Sequence, residues 1–145
     1  HALDTGLENT SETLRKELEK RVGSCVENDV VGAVHRSASP AAVLARFATP
    51  LGKDAANGLT YAVAIVEEGS RLLAAQAAAH VMRYAPDADP VHIALAGGLW
   101  SGPPVFRETF DRLVLELRAP RSAVVSRIAM PPVQGAVRLA METNR

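Results

Sequence analysis

Apolar residues recur at helical spacing through the first 84 positions, and at strand-like density only twice, both beyond residue 90. Leu14, Leu18 and Val22 predict a helix over about 12–22. Thr10 or Ser11 supplies its cap, Gly23-Ser24 its end, and the i,i+4 pairs Glu12–Lys16 and Arg15–Glu19 its wet side. Val26, Val30, Val31 and Val34 predict a second short helix over 26–36, although their β-branched character leaves a strand open. Ser39-Pro40 starts a third, carrying Val43, Leu44 and Phe47 and weakening at Pro50. After the cap-like Asn57-Gly58, a long helix runs from about Leu59 to Tyr84 on Leu59, Ala62, Val63, Val66, Leu73, Ala77, Val81 and Tyr84. Its alanine-rich middle predicts close packing on both sides.

Beyond the polar turn Pro86–Pro90, Val91, Ile93, Ala94, Leu95 and Ala96 read as a short buried strand cut off by Gly97-Gly98. A helix follows from Pro103-Pro104 through Phe106, Phe110, Leu113, Val114 and Leu117. Residues 122–128 read as a second strand, and Pro131-Pro132 opens a last helix. The predicted class is α/β, helix-rich with few strands, in the order α-α-α-α-β-α-β-α over a single domain, 1–145. Two strands make a poor sheet, so strands are expected to be missing or borrowed from another chain.

Composition narrows the classes. The 145 residues are 48% hydrophobic and 22% charged, an ordinary globular balance. Lys+Arg and Asp+Glu both number 16, so no basic excess points to nucleic acid, and no apolar run is long enough to span a membrane. One cysteine, Cys25, excludes an internal disulfide and is compatible with a cytoplasmic setting. The chain starts with His1 and shows no signal peptide, which raises the expectation of a piece cut from a longer protein.

The candidate chemistry concentrates at residues 91–102. A strand, a glycine turn and a helix place bare backbone at the carboxyl edge of a sheet, where a ligand can approach without a Cβ in the way. The following helix offers unsatisfied N–H groups. Trp100 reads equally as a core plug or as a cleft wall. His35, His80 and His92 lack metal-ligand spacing, Cys25 reads as a bystander, Glu67-Glu68 with Arg71 as a solvated face, and Asp87 and Asp89 as turn residues.

Three blocks resemble the carboxy-terminal lobe of the BadF/BadG/BcrA/BcrD-type ATPases, the group that holds the N-acetylglucosamine and glucosamine kinases. They are Ala45–Gly58, Ile93-Ala94-Leu95-Ala96-Gly97-Gly98-Leu99-Trp100-Ser101, and Pro131–Ala140. Ala2–Gly6 also resembles the segment after the family's second phosphate motif, while Gly58-Leu59 departs from the usual Gly-Asp. The resemblance implies a partial ribonuclease-H-like, actin-like ATPase lobe. Gly97 and Gly98 would contact adenosine, with Leu99, Trp100 and Ser101 beside them and Gly52 near the adenine. It implies ATP, with Mg²⁺ carried on the nucleotide, and an amino sugar held only with an amino-terminal catalytic lobe that has no counterpart here. A cytoplasmic homodimer is expected, with no catalytic residue and no metal ligand in this chain. The alternative is a non-catalytic helical dimerisation or interaction domain. A third reading, a radical-dehydratase activator, requires cluster cysteines, and Cys25 stands in neither expected place.

Overall fold

The structure, a computed structural model, describes residues 10–87, 89–118, 122–128, 134 and 141. The first helix, α1 (Glu12–Val22), has the predicted bounds. The Ser11 hydroxyl accepts from the Leu14 N–H, and Gly23 takes the left-handed conformation that ends it (φ 79°). Lys16 pairs with Glu12 at 2.6 Å. The expected Arg15–Glu19 pair is not among the contacts; Arg21 pairs with Glu17 instead. Helix α2 (Glu27–Arg36) settles the strand-or-helix ambiguity in favour of helix.

The third predicted helix is two. Helix α3 (Pro40–Ala45) stops, and α4 (Ala48–Ala56) starts after a turn at Arg46-Phe47. The reason is Pro50. Its ring excludes the carbonyl four residues back, at Arg46, and its missing N–H is harmless only in a first turn. The break therefore falls ahead of Pro50, and the order gains a helix over the predicted one. Ser39 sits at the cap position of α3 but makes no side-chain cap bond. The last predicted helix lies outside the described residues, apart from Gln134 and Met141, which are helical.

Helix α5 (Thr60–Tyr84) is the longest element. Its buried face is Ala62, Val66, Ser70, Ala74 and Val81. That corrects the predicted stripe in two places, since Leu73 is 41% exposed and Tyr84 64% exposed. Small residues on the buried face bring α5 close to α6 (Pro104–Arg118). Leu73 sits at the edge of that face, while Leu72 and Met82 on the far side are exposed, so among the described residues the helix is covered on one side and not on both.

Strands β1 (Val91–Leu95) and β2 (Ala123–Arg127) pair in parallel, Val91 opposite Ala123 through Leu95 opposite Arg127. Helix α6 is the crossover that a parallel pair requires. Asp89 Oδ1 accepts from the Ser122 N–H at 2.9 Å and ties the turn before β1 to the start of β2. The chain is thus helix-rich with a small two-stranded parallel sheet. Val91 and Leu95 point inward, while His92 and Ala94 are exposed.

The apolar interior falls into three clusters. Leu14, Leu18 and Val30 join α1 to α2. Ala55, Ala62, Val66 and Phe106 join α4, α5 and α6. Ala74, Leu95, Phe110 and Val114 join α5, α6 and the sheet. Glu67 of α5 also reaches Arg112 of α6 at 3.0 Å, and Arg71 pairs with Glu68 rather than Glu67. These exposed pairs contribute little by themselves. Among the described residues no helix is long and apolar enough to cross a membrane.

Candidate functional site

At the carboxyl end of β1 the backbone turns through Gly97 at φ +106°, a conformation that L side chains rarely adopt. Gly98–Ser101 then form a 3₁₀ turn, closed by a bond from the Gly102 N–H to the Leu99 carbonyl at 3.2 Å. Helix α6 begins at Pro104, whose fixed φ suits a first helical position. A Cβ added at Gly97 or Gly98 would meet nothing within 4 Å. The turn therefore presents open backbone.

Facing it, across a cleft of about 560 Å³, are Ala45, Ala48 and Thr49, where α3 gives way to α4. The near wall is Gly98, Leu99, Gly102, Pro103 and Phe106. Two segments about fifty residues apart in sequence thus meet, and the break ahead of Pro50 shapes one of the walls. The volume falls within the roughly 300–1,000 Å³ of small-molecule sites. The lining is mostly apolar, with the Thr49 hydroxyl and main-chain groups as its polar features.

Gly52 stands behind this cleft rather than on its lining. It is buried, and a Cβ there would lie 2.6 Å from Phe106 Cε2 and 2.6 Å from Pro103 Cγ. Its missing side chain lets α4 press against the start of α6. Because Pro103 and Phe106 also line the cleft, this close approach sets the cleft's width.

A smaller cavity of about 210 Å³ lies on the other side of Leu99 and Phe106, bounded by Ser70, Leu73 and Trp100. Trp100 is half-buried and packs at a tilt against Phe110, ring centroids 5.1 Å apart. It is both a core contact and a cavity wall. Of the sequence-derived residues, Gly98 and Leu99 line the larger cleft and Gly97 precedes it. Trp100 faces the smaller cavity, and Ser101 is exposed on the turn.

The other titratable residues stay scattered. Among the described residues no group of three or more His, Cys, Asp or Glu side chains is placed to hold a metal. His80 stacks on Tyr84, centroids 4.5 Å apart, and the Cys25 thiol donates to the Arg15 carbonyl at 3.3 Å.

One polar cluster escaped the sequence reading. Asp54 of α4 is only 4% exposed. Its Oδ2 accepts from the Ser11 hydroxyl at 2.6 Å and from the Tyr61 hydroxyl. The Ser11 N–H in turn donates to the Tyr61 oxygen at 3.3 Å. Burial first, and then the hydrogen bond to Asp54, push the Tyr61 phenol above its ordinary value. The hydrogen bonds run within the cluster, which reads as a clip joining the head of α1 to α4 and α5. No periodicity could reveal it, because Ser11 and Asp54 are 43 residues apart. Set against known proteins, the chain matches no family, no curated protein and no solved structure.

Proposed function

We propose that this chain is the nucleoside-binding lobe of an ATP-dependent amino-sugar kinase of the BadF/BadG/BcrA/BcrD type, with a partial ribonuclease-H-like architecture. The observation that carries the reading is the open Gly97-Gly98 turn bordering a cleft whose far wall comes from the first resembling block. An adenine would lie between Ala45 and Ala48 on one side and Leu99 and Phe106 on the other. Apolar walls take the faces of the base, and main-chain groups of the turn take its edges. The bare glycines let the ribose approach the backbone.

No carboxylate lines the cleft among the described residues. Mg²⁺ would therefore arrive on the nucleotide phosphates, as it commonly does in phosphoryl-transfer sites. The group that takes the sugar hydroxyl proton, and the sugar's own binding residues, would belong to a second lobe, because phosphoryl transfer depends on positioning both reactants in line. The test is titration with adenosine and with ATP, followed through backbone amide shifts. Saturable shifts at Gly97, Gly98, Leu99 and Thr49 are expected. Gly98→Leu, which points a side chain into open space, should abolish them while leaving the melting temperature within a few degrees. Unchanged binding in that variant would refute the assignment.

A second reading, a helical interaction domain that dimerises, draws on the exposed Leu72, Leu73, Met82 and Tyr84 of α5. Light scattering decides whether a dimer forms. A dimer that buries the Gly97–Trp100 turn, with no adenosine binding, would favour this reading over the first.

A further inference from the structure

A third recess lies where the α3–α4 junction meets α1. Its volume is about 300 Å³, and it runs between one face of α1 (Thr13, Glu17, Arg21) and the residues Arg46, Thr49 and Lys53. Those α1 positions are spaced i,i+4, and so are Thr49 and Lys53, so two helices each contribute a row of side chains. The charge balance is uneven: the cations Arg21, Arg46 and Lys53 face one carboxylate, Glu17. Glu17 is engaged with the Nε of Arg21, which leaves that guanidinium's outer nitrogens available. Arg46 and Lys53 have no ion-pair partner among the described residues. Two threonine hydroxyls add neutral donors. All three cations are solvent-exposed, so an arriving anion meets them without a rearrangement of the core.

We infer that this recess binds a compact tetrahedral oxyanion, a phosphate group above all. Arg21 and Arg46 would present paired N–H donors, Lys53 a point charge, and Thr13 and Thr49 hydroxyl donors. At about 300 Å³ the recess has room for inorganic phosphate or pyrophosphate. It touches the nucleoside cleft only at Thr49, which lines both, and its chemistry does not depend on what that cleft binds.

The test is a titration with inorganic phosphate at constant ionic strength, with chloride as the control anion, followed through amide shifts. Saturable shifts confined to Thr13, Arg21, Arg46, Thr49 and Lys53 are expected. The exposed double variant Arg46→Ala/Lys53→Ala should weaken binding by roughly tenfold or more, given what charge-assisted hydrogen bonds contribute. Arg71→Ala/Arg83→Ala, which removes charge of the same sign on α5, away from the recess lining, should leave it unchanged. The inference is overturned by shifts that rise without saturating, by shifts spread over all basic residues, or by equal losses in both double variants. It is also overturned if only an acidic peptide, and no free phosphate, competes for the recess. Adenosine, which carries no phosphate, is titrated in parallel, so failure of the nucleoside cleft and failure of the anion recess read out separately.

Discussion

Two helical glycines should respond to the same substitution with opposite signs. Gly69, in the middle of α5, has nothing within 4 Å of an added Cβ. Gly69→Ala therefore keeps only the gain in helix propensity, about 0.5–1 kcal/mol. Gly52, in α4, gains a similar propensity term, but its Cβ would lie 2.6 Å from Phe106 Cε2 and 2.6–2.7 Å from two atoms of the Pro103 ring. Ordinary carbon contacts are about 3.5–4.0 Å, so the helices must part by roughly an ångström. Neither obstructing group is a flexible chain end. Overpacking of this kind costs about 1–3 kcal/mol and outweighs the propensity gain, leaving a net loss of about 1–2 kcal/mol. The propensity terms cancel in the comparison, so the two variants should differ by the overpacking cost, about 1–3 kcal/mol. Urea unfolding measures this: with a slope of about 1–3 kcal/mol per molar, the midpoints should separate by about one molar at equal slope. The parting of α4 from α6 should also weaken ligand binding in the cleft, since Pro103 and Phe106 form its wall. If Gly52→Ala proves as stabilising as Gly69→Ala, the claim that bare backbone at Gly52 sets the helix spacing is wrong.

The Ser11–Asp54–Tyr61 clip yields the remaining predictions. Asp54→Ala leaves the Ser11 and Tyr61 hydroxyls without their common acceptor in a partly buried place, and should cost about 2–3 kcal/mol by chemical denaturation. The Tyr61 phenol is raised from a reference near 10.0 in the folded state. Folding therefore gains a contribution that is fully present below that value and is lost as pH climbs through the raised one. Melting temperatures followed from pH 8 upward should fall more steeply beyond pH 10 in the parent than in Tyr61→Phe, and parallel curves would remove the clip's role in alkaline stability.

The sequence by itself determined where most elements lie. Leu14, Leu18 and Val22 with the Ser11 cap set α1, Asn57-Gly58 separated α4 from α5, and Gly97-Gly98 ended β1. Each is a local matter, since capping, periodicity and glycine torsion act within a few residues of their cause. The break at Arg46-Phe47 was written there too, in the ring of Pro50, but a helical pattern on both sides concealed it.

Only the tertiary structure decided which face of α5 is buried. The small residues Ser70 and Ala74 lie under α6 while Leu73 is left outside, because a close helix crossing selects for size as well as hydrophobicity. The same holds for Gly52, whose value comes from Pro103 and Phe106 arriving from another helix, and for Asp54, whose partners come from two others. A chain can announce its turns to its neighbours in sequence. What a cleft holds between its walls depends on how far apart packing sets them, and that distance is a property of pairs of elements rather than of either one.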